Sequence, residues 1–165
     1  MSNRLQTLAQ SAVGRYFAPA EREQFLSEAG SLPRRFEASD ALAGREEAAL
    51  KATVSDLQQR YPNFAKHHDQ GWAKCYRDMQ VVLRQDALAL VLDDVQWLED
   101  TTLLWLRSML AASNLTPKFC GDAFTLLREH VQAELTAEHY ELLRPFLDRN
   151  VEVLSEFPEP VAPAV

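Results

Sequence analysis

The apolar residues of this chain recur every three or four positions, and that periodicity restricts the fold more than any other feature of the sequence. It runs from Leu5 and Leu8 near the start to Leu154 near the end. Such spacing places apolar side chains along one face of an α-helix. Only five glycines occur in 165 residues, while Ala, Leu, Glu and Arg, all good helix formers, dominate. The sequence therefore predicts an all-α protein.

The helices are expected between breaks marked by Pro, Gly or paired Asp residues. They cover residues 5–12, 19–29, 42–61, 71–92, 103–112, 117–135 and 136–154. Pro19 suits a first helical turn, and Pro62 stops the helix before it. Residues 30–33 (Gly-Ser-Leu-Pro) are expected to form a kink or a joint, and the polar stretch 63–70 a loop. Residues 100–102 (Asp-Thr-Thr) are predicted to cap the helix that follows, because such side chains accept hydrogen bonds from free backbone N–H groups.

The chain is long enough for one domain with a proper hydrophobic core, since 47% of its residues are hydrophobic and 25% are charged. We expect this domain to cover residues 1–156, and residues 157–165, which hold three prolines, to form a flexible tail. The net charge of -7 argues against a nucleic-acid partner, which needs a basic patch, and against an anionic membrane surface. The longest apolar run, residues 87–92, is too short to span a bilayer.

The two cysteines, Cys75 and Cys120, do not make a disulfide framework, and the N-terminus lacks the apolar core of a signal peptide. A reducing, cytoplasmic setting is therefore expected. The sequence has no Gly-rich phosphate loop, nucleophile elbow or metal-ligand spacing, and the four histidines form no ligand pair. The sequence predicts neither an enzyme nor a metal site.

The pentapeptide Lys-Cys-Tyr-Arg-Asp, centred on Tyr76, is the one chemically distinctive segment. On a helix, Cys75 and Asp78 share a face, while Lys74 and Arg77 project to either side. A thiol, a carboxylate and two cations thus surround one spot. Spacing alone favours a buried cysteine beside a surface ion pair, because free cysteines are commonly just buried, and a binding site is the alternative. Aromatic residues that suit either the core or the walls of a pocket for a flat conjugated ligand are Trp72, Tyr76, Trp97 and Trp105.

Residues 74–84, K-C-Y-R-D-M-Q-V-V-L-R, resemble the C-x-R-D…L-R segment of phycobiliproteins, the globin-related bilin carriers of the phycobilisome. Five further segments resemble family segments in the same order: R-Y-F-A-P at 15–19, L-A-G-R at 42–45, Y-P at 61–62, A-S-N-L-T-P at 112–117 and F-L-D at 146–148. The ordered set covers nearly the whole chain. The resemblance implies a globin-like helical bundle with two extra N-terminal helices, this extension covering residues 1–30 of the domain.

The resemblance also implies a site for a bilin, a linear tetrapyrrole. Cys75 would form a thioether with it, Asp78 would accept hydrogen bonds from pyrrole N–H groups, and Arg77, with Lys74, would pair with propionates. Two further residues expected at this site are Trp72 and Met79. A thiolate beside the two cations is expected to be the better nucleophile. The bilin would be phycocyanobilin, phycoerythrobilin or a precursor, held either covalently at Cys75 or without a covalent bond.

Departures from the family pattern fall on the cover of the site and on the subunit interface. The stretch between Pro62 and Cys75 is shorter than in light-harvesting members and lacks their Gly/Asn-rich run. Ser11 stands where the family offers an aspartate, which pairs across a dimer with the arginine matched by Arg84. A homo- or heterodimer through the N-terminal helices is expected, with interface residues Arg15, Tyr16 and Arg84.

Three functions are compatible with this pattern. The favoured one is a non-antenna paralogue that acts in bilin biosynthesis, or as a bilin carrier or chaperone, with bilin-biosynthesis enzymes as partners. The first alternative is a light-harvesting phycobilisome subunit with a covalent bilin at Cys75. The second is a non-chromophoric sensor or interaction globin. Each is expected in the cytoplasm, either free or at the cytoplasmic side of thylakoids, without nucleic acid and without a membrane span.

Overall fold

Helices occupy most of the chain in the computed structural model, which describes residues 4–158. The element bounds are α1 Arg4–Ser11, α2 Pro19–Arg60, α3 Phe64–His67, α4 Gly71–Leu92, α5 Val95–Leu98, a π-helical segment Glu99–Leu103, α6 Leu104–Ala112, α7 Pro117–Glu134 and α8 Ala137–Ser155. No strand occurs within residues 4–158, so the all-α prediction is confirmed. The predicted flexible tail lies mostly outside the described residues.

Local sequence signals explain where several helices begin. Pro19 opens α2, and Glu21 in its first turn accepts a hydrogen bond from the Ala18 backbone N–H at 2.8 Å. Thr116 caps α7 by accepting from the Phe119 N–H at 3.1 Å, and Thr136 caps α8 in the same way. These side chains satisfy N–H groups that have no partner inside the helix.

The joint, one of the two alternatives expected at residues 30–33, does not occur, because α2 runs without interruption from Pro19 to Arg60 and carries Pro33 in its interior. The other alternative, a kink at Pro33, stays a prediction. An internal proline costs a helix about 3 kcal/mol. Two ion pairs of Arg35 hold this stretch in place: one with Glu28 within α2 at 3.2 Å, and one with Asp93, at the end of α4, at 3.0 Å. The part of the N-terminal extension that begins at Pro19 therefore continues into the bundle as one helix.

Two other local predictions also differ from the structure. The stretch 63–70 is not wholly a loop, since it contains the single turn of α3. The predicted cap at residues 100–102 is wrong, because those residues lie inside the π-helical segment. Asp94 is the cap instead: its Oδ1 accepts from the Trp97 N–H at 2.8 Å, directly after Asp93 ends α4 with a φ of 52°. The chain therefore turns six residues earlier than the Asp-Thr-Thr pattern indicated.

The core lies where α2 packs against α4 and α7, and where α7 packs against α8. Its largest fully buried side chains include Leu50, Leu57, Leu83, Leu127, Leu143 and Leu147. Burying each such leucine contributes about 1.5–3 kcal/mol. Because one face of α4 is fixed in this core, the other side of its N-terminal half is presented to a gap between α4, α6 and α7.

Within residues 4–158, no helix is both long enough and apolar enough to cross a membrane.

Candidate functional site

A cavity of about 540 Å³ lies between α4, α6 and α7, with α3 at one end. Its volume is in the range of pockets that bind small molecules and cofactors. Most of its walls are apolar, from Met79 on α4 through Leu106 and Leu110 on α6 to Phe119 and Phe124 on α7. Apolar walls of this extent suit a large, mainly hydrophobic ligand.

The α4 side of the cavity carries the predicted polar residues. Lys74, Cys75, Arg77 and Asp78 all line it, so the structure brings these four side chains to one place. The Arg77 guanidinium donates to Asp78 Oδ1 through Nη2 at 2.9 Å and through Nε at 3.1 Å. Both bonds fall on the same carboxylate oxygen. The second oxygen, Oδ2, accepts no hydrogen bond from the part of the chain that the structure describes, and can accept from a ligand N–H.

The Cys75 thiol is not activated by its cationic neighbours. Burial in apolar surroundings, and secondly the negative charge of Asp78, raise the pKa of this thiol to about 12. Lys74 donates its Nζ to the Asp69 backbone oxygen at 2.9 Å, and Arg77 pairs with Asp78. The expectation of a thiolate favoured by Lys74 and Arg77 is therefore wrong, because oxygens already engage both cations and the pKa of the thiol is raised. A partly buried thiol with a raised pKa is a slow nucleophile at neutral pH.

The two remaining predicted ligand residues have different places. Met79 is buried and lines the cavity. Trp72 lies behind the wall, with its ring centroid 4.6 Å from that of Phe64. Phe64 in turn stacks on Phe119 at 4.4 Å, with an angle of 10° between the rings. Trp72 thus supports the aromatic end of the cavity without facing it.

The cover of the cavity is short. It consists of α3 and its flanking residues, which approach the start of α4 closely at Gly71. A Cβ atom at Gly71 would lie 2.7 Å from Phe64 Cε1 and 2.9 Å from His68 Cβ, so a larger residue would displace the cover. The close approach requires glycine at this position.

Several cavity residues were left unassigned by the sequence. His67 and His68 border the cavity from the α3 side, and Cys120 faces it from α7. Burial raises the pKa of the Cys120 thiol to about 12 as well. The only available signal was the four-residue spacing of Cys120 and Phe124 on one helix face. That signal says nothing about which other helix they meet. No group of three or more His, Cys, Asp or Glu residues suited to a metal ion occurs among residues 4–158.

The predicted interface residues make their ion pairs within the chain. Arg84 donates to both oxygens of Glu46 on α2, at 2.9 and 3.0 Å, and this arginine lowers the pKa of Glu46. Arg15 donates to both oxygens of Glu21 at 2.7 Å and so fixes the corner between α1 and α2. Tyr16 at the same corner is 97% exposed. Arg84 therefore has a partner without a second subunit.

Comparison with known proteins gives one clear result. The sequence pattern of the family described as "Phycobilisome protein" matches residues 8–154, from α1 to the end of α8. Proteins of this family generally carry bilin chromophores. A comparison with curated proteins found no match. A match over most of the chain, together with an all-helical fold that places Cys75, Arg77 and Asp78 at one cavity, leads to a single assignment: the chain belongs to the phycobilisome protein family.

Proposed function

We propose that this chain holds a linear tetrapyrrole in the cavity between α4, α6 and α7, and that it is a carrier or chaperone of newly made bilin rather than an antenna subunit. The observation that carries the binding is the meeting of Cys75, Arg77 and Asp78 at one apolar cavity. The family provides the class of ligand. The role is binding and transfer rather than catalysis.

The polar side chains have complementary tasks in this proposal. The Asp78 carboxylate accepts hydrogen bonds from pyrrole N–H groups and stabilises the positive charge of a protonated bilin. Arg77, whose side chain is 66% exposed, lies at the rim and pairs with a propionate, because its planar guanidinium matches a carboxylate. Lys74 is close enough along α4 to serve a second propionate. The apolar walls take the ring system itself.

Three observations support a carrier rather than an antenna subunit. The cover is the single turn of α3, which leaves the ligand easy to release. Partial burial and the negative charge of Asp78 raise the pKa of the Cys75 thiol, which favours a non-covalent complex over a thioether. Arg84 is paired with Glu46 inside the chain, so it does not depend on a second subunit for a partner. A reversible complex is what transfer between bilin-biosynthesis enzymes and a later acceptor requires.

The test is co-expression with haem oxygenase and a bilin reductase, followed by absorption spectroscopy. The proposal expects a coloured native protein whose pigment is lost on a denaturing gel. A zinc-fluorescent band that survives denaturation would instead support a covalent antenna subunit. A colourless product with every bilin tried would refute bilin binding and leave the sensor or interaction globin.

Asp78→Asn tests the assigned carboxylate within the same experiment. The variant removes the negative charge opposite the pyrrole nitrogens, so the absorption band of the bound bilin is expected to weaken and shift to the blue. Asp148→Asn is the matched control, because Asp148 pairs with Arg128 on the surface away from the cavity. A spectrum of Asp78→Asn identical to that of the control would exclude Asp78 from this role.

A further inference from the structure

Large apolar side chains are unusually exposed at the mouth of the cavity. Trp105 is 61% exposed, Met109 48% and Val81 43%, and all three line the cavity. The other two tryptophans, Trp72 and Trp97, are partly buried and pack against the core. Clustered exposed apolar surface usually marks a site that something covers. The cavity itself is continuous with this surface, so its own ligand is the natural cover.

The two walls of the cavity differ in chemistry. The α4 wall carries the carboxylate and the cations, while Trp105 and Met109, one turn apart on α6, present an apolar face. A ligand held by polar groups at Asp78 leaves its less polar parts toward the α6 wall. An indole face packs best on a flat conjugated ring, and a thioether is also favourable beside such a ring.

From this arrangement we propose that Trp105 is the specificity-determining residue of the site, stacking on a conjugated pyrrole ring that the short α3 cover leaves exposed. The inference rests on the proposed tetrapyrrole binding and adds to it a named contact on the opposite wall. It also gives a physical reason for the ligand class: a flat, conjugated ring buries the indole face, whereas a flexible saturated chain of equal volume does so poorly.

The experiment is a titration of the purified full chain with biliverdin, followed by visible absorption. Trp105→Leu is expected to raise the Kd about tenfold, because the stacking contact and part of the buried apolar area are lost. Trp105→Phe retains an aromatic face and is expected to stay within about threefold of the wild type. Circular dichroism checks that each variant is folded. Because Trp105 is 61% exposed, its substitution is not expected to disturb the core. Leu88→Ala is the matched control, since Leu88 is 45% exposed on α4 but does not line the cavity.

Hydroxyl-radical footprinting of the wild type gives an independent readout. Biliverdin is expected to protect Trp105 and Met109 from oxidation and to leave Trp72 unchanged. Equal Kd values for Trp105→Leu and the wild type would overturn the role of Trp105 while leaving the proposed function intact. A loss in Leu88→Ala as large as that in Trp105→Leu would also overturn it. Protection of Trp105 without biliverdin, rising with protein concentration, would show that another protein copy covers this wall and would overturn the assignment of Trp105 to the ligand. Failure of the wild type to bind biliverdin or any other bilin would refute the proposed function and this inference together.

Discussion

Replacing Asp86 by asparagine is expected to remove a pH dependence from the stability of this protein. Asp86 on α4 and Asn150 on α8 are both buried, and Asn150 Nδ2 donates to Asp86 Oδ2 at 2.7 Å. Asp86 Oδ1 and Asn150 Oδ1 have no hydrogen-bond partner among the described residues. Burial raises the pKa of Asp86 to about 8, and the Asn150 bond offsets only part of that rise. A proton on Asp86 removes the buried negative charge and adds an O–H donor to this pair.

The sign and size of the effect follow from that raised pKa. Between pH 3.8, the ordinary pKa of the carboxyl, and pH 8, the folded protein keeps a proton that the unfolded chain releases. The free energy of unfolding therefore falls as pH rises through this window. The equilibrium constant for unfolding rises by roughly tenfold per pH unit. The contribution of Asp86 is fully favourable only below the window. By pH 7 the loss amounts to about 4 kcal/mol.

Asp86→Asn replaces the proton by an amide that donates at every pH. Urea unfolding of both proteins is measured at pH 5, 6, 7, 8 and 9. The ratio of the unfolding equilibrium constant of the wild type to that of the variant is expected to rise about a hundredfold from pH 5 to pH 7 and to level off above pH 8. Asp148→Asn, at a surface ion pair, controls for the loss of one negative charge. Infrared spectra should show the C=O band of a protonated carboxylic acid that the Asp86 variant lacks. A stability difference that stays constant from pH 5 to pH 8 would refute the reasoning.

Three further outcomes are expected. Gly71→Ala should lower the free energy of unfolding by about 1–3 kcal/mol and speed amide exchange at Phe64, because the new methyl group collides with the cover. The control Gly44→Ala, where no atom lies within 4 Å of the new methyl group, should be neutral or stabilising. Equal effects of the two variants would contradict the close approach at Gly71. Cys75→Ser should still bind biliverdin within about threefold of the wild-type Kd, as a non-covalent complex predicts, and a complete loss would favour a thioether. Tyr16→Ser should weaken any self-association seen by sedimentation velocity, since Tyr16 is 97% exposed at the corner of α1 and α2, and an unchanged dimer would place the interface elsewhere.

Much of the fold was predictable because its signals are local. A period of three to four residues places the helices, and a side chain that binds the first free N–H groups, as at Thr136, fixes where one begins. The core of the site was predictable for the same reason. Cys75 and Asp78 are three residues apart on α4, so one helix alone brings them to one face.

Other features depend on segments that are distant in sequence. The passage of α2 through Pro33 is held by Arg35 and Asp93, 58 residues apart, so the local preference for a break was overridden. The Asp86–Asn150 pair joins residues 64 positions apart. Arg84 meets Glu46 across 38 positions, and the resemblance alone directed it to another subunit. Propensity and spacing carry no information about such partners.

The sequence by itself determined that the chain is helical and that one helix presents a thiol, a carboxylate and two cations together. Only the tertiary structure decided that these groups face a cavity, that Trp105 and Cys120 complete its walls while Trp72 lies behind them, and that the pKa of the Cys75 thiol is raised. The reason is physical: helix faces follow from backbone geometry within a few residues, whereas a cavity, its walls and the burial that shifts a pKa exist only once α4, α6 and α7 pack together.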